Sequence, residues 1–280
     1  MTSDRMLTAA DMDAFDTDMK LAFIASKDPA GLPHLGLITS LQAKGPDRLM
    51  FGEFVRGRTK RYIQERPELA WAVVTMDKGL WRGRARWTGL TTSGPDLDMY
   101  NSRPIFRYNA YFGIHTVHYL DLAESSLRAD LPLARIIPAT LLTRLLRARA
   151  RRDDGPRVMT PFSEDLFNQL DALKLLAWVD SEGWPHIIPL IQCQAADHRR
   201  LVFSTLAWGR ELRKVPEGTA VAVFAANTKM ESVLVRGPLR FGRRAGVPFG
   251  AVNVDWVYNS MPPAHGQIHP PVPLDPVIRF

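Results

Sequence analysis

The chain has 280 residues, enough for two domains of ~100 to 150 residues that each bury a core. Hydrophobic residues make up 46% and charged residues 23%, a balance that excludes a disordered chain. A single cysteine, Cys193, excludes an intrachain disulfide and a cysteine metal cluster, and the net charge of +7 raises the question of an anionic partner.

The opening "MTSDRMLTAADMDAF" lacks a basic flank followed by an apolar core, and no stretch approaches the ~18 uncharged apolar residues of a membrane helix. A cytoplasmic protein without a transmembrane segment is the expectation. In chain order, "TAADMDAFDTDM" predicts a short amphipathic helix and "KLAFIAS" an apolar strand ending in a glycine turn. A strand after "LPH" leads through a polar turn to "RLMFGEF". Gly57, a short helix, a β-branched strand, a long strand pair and a closing strand beginning at Phe112 follow.

Residues 124–160 form a connector. Between 124 and 158 it holds eight arginines (Arg128, Arg135, Arg144, Arg147, Arg149, Arg151, Arg152 and Arg157) against four acids, so +4 of the +7 sits here. Its "LLTRLLRARARR" has helical spacing with Leu142, Leu145 and Leu146 on one side, which reads as a solvated linker helix. With no recognition motif beside it, specific nucleic-acid binding is not expected; attraction to an anionic polymer or membrane is a lesser reading.

The same order of elements then returns. Sliding the chain by 152 brings Gly31, Pro33, His34, Gln42, Ala43, Arg48, Leu49, Phe51, Gly57, Arg58 and Arg61 onto Gly183, Pro185, His186, Gln194, Ala195, Arg200, Leu201, Phe203, Gly209, Arg210 and Arg213. That is 11 identities in 31 ungapped positions, where composition predicts roughly two. After a two-residue shift "AWAVV" at 70–74 meets "AVAVF" at 220–224, and "FGIHTVHYL" from Phe112 meets "FGAVNVDWV" from Phe249. Two long units are too few for a solenoid, so a duplicated domain is expected. The predicted division is 1–123 and 161–260 for the two copies, 124–160 for the connector and 261–280 for a proline-rich tail, which is expected to lie extended. Many short strands with few helices predict a mainly β fold with small helices, as small barrels whose closure removes exposed edges.

This ordered set resembles the FMN-binding split β-barrel family, the pyridoxamine phosphate oxidase-like proteins. The resemblance rests on "ASKDPAGLPHL", "RLMFGE", "GRTKRYIQERPELAWAVV" and the second copy's "VRGPLRF", and it covers both copies. It implies two tandem split β-barrels forming an intrachain pseudo-dimer, either monomeric or as a homodimer, with FMN as cofactor and a small-molecule substrate. Haem or a deazaflavin on the same scaffold are the alternatives, as is a non-catalytic binder.

"VRGRTK" sets Arg56, Arg58, Thr59 and Lys60 around a glycine at a helix start, where unpaired backbone N–H groups, forked guanidinium donors and a hydroxyl suit a phosphate. The pattern alone also fits cations solvated before a surface helix. The resemblance, in which this segment grips the flavin phosphate, implies a site in copy one. Copy two offers "AWGREL", with Glu211 and Leu212 replacing Thr59 and Lys60, so one cofactor site is expected. Trp256, Tyr258 and Asn259 of copy two are candidates for an aromatic or hydrogen-bonding cover over the ring.

His34 and His186, at matching positions, read as structural. His115 and His118 lie three apart on a strand and point to opposite faces, and His265 and His269 sit in a proline-rich tail, so no metal site is expected. There is no P-loop, dinucleotide fingerprint or Gly-x-Ser-x-Gly, and no catalytic side chain is identified. Any redox chemistry would come from the bound flavin.

Overall fold

The computed structural model describes residues 6–17, 20–54, 57–103, 113–126, 128–151, 155–229, 231–244, 246–259 and 266–272. The fold is mainly β with small helices, built as two antiparallel sheets of one design, two tandem split β-barrels. Two compact units divide the chain, Met1–Leu131 with Val179–Ile187 and Pro132–Trp178 with Ile188–Phe280.

In the first unit, helix α1 (Ala9–Phe15) starts with a capping box in which Thr8 and Asp11 satisfy each other's backbone N–H. Strands β1 (Lys20–Lys27) and β2 (Pro33–Leu37) follow, then β3 (Gln42–Gly45), β4 (Arg48–Glu53), helix α2 (Arg58–Glu65), β5 (Glu68–Thr75), β6 (Gly79–Thr91), helix α3 (Pro95–Ser102), β7 (Thr116–Ser125) and β8 (Ala129–Asp130). The sheet order is β2-β1-β5-β6-β7-β4-β3. Four steps separate β1 from β4, about 19 Å if the sheet were flat. Yet Ala22 and Ile24 of β1 share one buried cluster with Leu49 and Phe51 of β4, Trp71 of β5 and Leu120 of β7. The sheet therefore curls around a single core.

The β1–β2 turn explains the motif that repeats. Asp28 Oδ1 accepts from the N–H groups of Ala30 and Leu32, both at 2.9 Å, and Gly31 takes a φ of +79°, a conformation that a Cβ disfavours. Asp180 Oδ1 does the same for Glu182 (3.0 Å) and Trp184 (2.9 Å), with Gly183 at φ +84°.

The second unit contains helices α4 (Leu133–Ala150), α5 (Pro161–Asn168) and α6 (Gly209–Leu212). Its sheet is formed by β9 (Leu173–Val179), β10 (Pro185–Pro189), β11 (Gln194–Asp197), β12 (Arg200–Ser204), β13 (Ala220–Ala226), β14 (Ser232–Arg244), β15 (Val247–Asn253), β16 (Trp256–Asn259) and β17 (Gly266–His269). The order β10-β9-β13-β14-β15-β12-β11 matches the first sheet strand for strand. Matching extends to single bonds. Ser40 Oγ donates to Gly52 O at 2.7 Å, and at positions 152 further on Gln192 Nε2 donates to Ser204 O at 3.1 Å.

Three expectations differ from what is observed. The 152-residue offset persists through β5 and β13, because Ile24 faces Trp71 while Leu176 faces Val223. The two-residue shift arose because a strand pattern of period two survives a slide of two. Phe249 of β15 corresponds to Val117 of β7, since Leu49 faces Leu120 where Leu201 faces Val252, and Phe112 lies outside the described residues. The arginine-rich helix is not simply solvated. Helix α4 buries Ile136, Ala139, Thr143 and Leu146, a 3-4-3 spacing, while Leu145 is 68% exposed. Thr143 Oγ1 accepts from the N–H of Ser204 at 2.9 Å, which pins the helix to β12.

Candidate functional site

The chemistry-bearing cluster of the first unit forms at the end of β4. Alternation puts Phe51 and Glu53 on one face, and register sets His118 of β7 opposite Phe51. The His118 ring stacks on Phe51 at 4.7 Å with 10° between planes. His118 Nε2 lies 2.8 Å from Glu53 Oε2, and Trp87 Nε1 donates to His118 Nδ1 at 3.2 Å. An indole N–H only donates, so Nδ1 is the acceptor and Nε2 carries the proton that Glu53 receives in its hydrogen bond. His118 is fully buried and Glu53 is 4% exposed. The other carboxylate oxygen, Glu53 Oε1, is buried without a hydrogen-bond partner among the described residues. Burial pushes the Glu53 carboxyl up, but the His118 hydrogen bond and the neighbouring Lys60 charge outweigh it and hold the group below its ordinary value.

Lys60, in the first turn of α2, is the cation beside this pair. Burial holds its ammonium below the ordinary lysine range, with Glu53 opposing the shift. The helix begins at Gly57, which supplies no side-chain cap. Arg58 is half-buried. Thr59 turns the other way: it is 6% exposed, and a Cβ on Gly36 of β2 would meet its Oγ1 at 2.3 Å, so this hydroxyl packs against the sheet. Arg56 lies outside the described residues.

Of this cluster the second unit keeps Phe203 at the Phe51 position and Arg210 at the Arg58 position. At the positions matching Glu53, Lys60, Trp87 and His118 stand Thr205, Leu212, Leu239 and Gly250, and Leu212 and Leu239 join the core. Phe203 occupies the space the histidine ring would need, because a Cβ on Gly250 would meet its ring at 2.3 Å. Helix α6 has only four residues and starts from Trp208 in the left-handed region.

The aromatic candidates Trp256 and Tyr258 belong to β16 of the second unit and stack on each other at 5.7 Å and 14°. Trp256 is 9% exposed, with the Arg236 guanidinium 4.4 Å over its ring, and Asn259 is 1% exposed. The matching pair in the first unit is the Arg84–Glu124 ion pair. His34 is buried edge-on to Tyr62 at 5.2 Å, and His186 Nε2 lies 2.6 Å from Asp180 Oδ2, so the matched histidines have different partners. His115 Nδ1 contacts Thr116 Oγ1 at 2.8 Å, ahead of the strand rather than on it. His265 lies outside the described residues, and His269 faces Val257 in β17. Sequence reasoning passed over Glu53 and Trp87; the signal available was a buried acid in copy one facing Thr205 in copy two.

No family model matches the sequence, and no curated protein matches it. Among solved structures, 43% of the chain is similar to 92% of HupZ from Group A Streptococcus, with 17% identity and a TM-score of 0.36. The same share is similar to 84% of an FMN-binding protein from Syntrophomonas wolfei, with 12% identity and a TM-score of 0.37. A putative pyridoxamine 5'-phosphate oxidase from Lactobacillus delbrueckii is matched over its whole length by 45% of the chain, with 17% identity and a TM-score of 0.34. No helix among the described residues is long and apolar enough to cross a membrane.

Proposed function

We propose that the chain arose by tandem duplication of a split barrel and binds a flavin-type cofactor, FMN, through its first unit, serving as an FMN-dependent oxidoreductase on a small molecule. The observation that carries this reading is the asymmetry at the end of β4. The first unit joins Arg58 and Lys60 at a helix start to a buried Glu53–His118 pair, whereas the second keeps Arg210 at the Arg58 position but has a four-residue helix, Glu211 in place of Thr59, a core leucine in place of Lys60, and neither member of the pair. Cations at an uncapped helix start fit a phosphate; the packed hydroxyl of Thr59 does not, so Arg58 and Lys60, with Arg56 preceding them, are the residues assigned to hold it. A bound flavin would supply the electron transfer. The protein's own groups hold one proton at His118 Nε2 and keep a carboxylate ionised in a dry setting beside Lys60.

The test is titration of the purified protein with FMN. Quenching of flavin fluorescence at one equivalent per chain supports the reading; a colourless protein that leaves the fluorescence unchanged at a hundredfold excess removes it.

A further inference from the structure

The second unit carries a cluster of arginines that the flavin reading does not use. A cavity of about 310 Å³ opens between the end of α4 and the strands β12, β14 and β15. Five arginines line it: Arg149 and Arg151 from the helix end, Arg200 from β12, and Arg240 and Arg244 from β14. No carboxylate does so among the described residues. The cavity also has an aromatic side. Phe249 of β15 lies across Gly242 of β14, where a Cβ would stand 2.9 Å from its ring.

Two of the arginines are held in place. Arg200 donates through Nε to Asn253 Oδ1 at 3.1 Å and through a terminal nitrogen to Ala150 O at 3.0 Å, and Arg244 donates to Arg149 O at 3.0 Å. The two carbonyls are among the last of α4, which an intrahelical N–H cannot reach, so cations at this helix end satisfy them. Helix capping accounts for those two side chains and leaves those of Arg149, Arg151 and Arg240 without a reason to join them. A guanidinium has five N–H donors, so even the capping arginines keep most of theirs.

The first unit shows what this face looks like when it is merely structural. Its counterpart of Arg200 is Arg48, which pairs with the carboxylate of Asp121 at 2.7 Å. In the second unit that aspartate is Asn253, which keeps the hydrogen bond and removes the negative charge. After a bulge at Thr88, Gly89 faces Tyr119 where Arg240 faces Ala251, and Tyr119 is bonded to Asp96. One unit has neutralised the face; the other has an asparagine for its acid, more arginines and a hollow beside the Phe249 ring.

We infer that this pocket binds a phosphorylated small molecule carrying an aromatic ring, of the nucleoside diphosphate class, with arginines on the phosphates and Phe249 against the base. Forked guanidinium donors match phosphate oxygens, and the ring floor gives a base-bearing ligand an advantage over a bare phosphate.

The test uses the full chain and calorimetric titration with ADP, pyrophosphate and FMN. ADP is expected to bind at one site per chain, at least tenfold more tightly than pyrophosphate. Arg240→Glu, at an exposed position, should weaken ADP at least tenfold without changing the thermal midpoint. Arg58→Glu in the first unit should weaken FMN and leave ADP unaffected, so failure of the flavin reading and failure of this one are separable. The inference is overturned if ADP shows no binding at millimolar concentration, if pyrophosphate binds as well as ADP, or if ADP loses as much from Arg135→Glu, an exposed arginine of α4 outside the pocket, as from Arg240→Glu. Single-stranded RNA that outcompetes ADP and is weakened equally by both charge reversals would overturn it in favour of a diffuse polyanion surface.

Discussion

Glu53 and His118 come from strands 65 residues apart and meet at 2.8 Å in a site closed to water, where Trp87 fixes which imidazole nitrogen carries the proton. Because the Glu53 carboxyl is held below its ordinary value of 4.5, its contribution to stability is present above that pH and is lost as pH falls through the lower folded value. Glu53→Gln should therefore flatten the acid limb of the stability curve below pH 4.5, at a cost of about 1.5–3 kcal/mol at neutral pH, the scale of a hydrogen bond to a charged group. Urea midpoints from pH 3 to 7 measure this, and acid limbs that superimpose would refute the ionised Glu53 carboxylate.

The second unit fills the equivalent space with a ring over a glycine, which makes Gly250 a sharp probe. A methyl there would lie 2.3 Å from two atoms of the Phe203 ring, and Phe203 is fully buried. Gly250→Ala should destabilise by about 1–3 kcal/mol through overpacking. Gly246→Ala has space around its Cβ but a φ of +77°, so its cost comes from the backbone alone and serves as the comparison. Equal losses in the two variants would contradict the packing argument.

The fold was legible because turn chemistry and strand order are local. Asp28 with Gly31 and Asp180 with Gly183 announce the same hairpin twice, and the offset they set holds as far as β6 and β14. What depends on register was not legible. The position matching Lys60 is Leu212, a core residue, and Lys60 itself lies beside Glu53, a neighbour the motif does not name. Trp256 stands in the sheet where Glu124 does, so the ion pair with Arg84 becomes a ring contact with Arg236. The arginines of the connector looked like a solvated stripe, because nothing local reveals that β12 and β14 bring Arg200, Arg240 and Arg244 to the same helix end.

The α2 start separates two kinds of residue that the motif groups together. Arg58→Ala and Lys60→Ala each remove a cation, and each is expected to weaken FMN by about tenfold or more, the scale of one charge-assisted hydrogen bond. Thr59→Val keeps the shape that packs against Gly36 and is expected to leave FMN affinity within about twofold, because the hydroxyl faces β2. Fluorescence titration of the three variants reads this directly. A tenfold loss in Thr59→Val would return the hydroxyl to the phosphate.

Cys193 tests burial by chemistry rather than by energy. It lies fully buried in the second core, and burial pushes its thiol up to about 12, with the Lys174 ammonium opposing the shift. Reaction needs the thiolate, and at pH 8 a thiol of ordinary pKa 9.0 is roughly a thousandfold more ionised than this one. Access adds a further barrier, since the reagent must wait for the core to open. The native protein should therefore stay unlabelled by an aromatic disulfide reagent over an hour at pH 8 and take up one equivalent at once in 6 M guanidinium chloride. Rapid stoichiometric labelling of the native chain would mean that the second barrel exposes β11 and its preceding turn, and would undo the core assignment on which the matching of the two units rests.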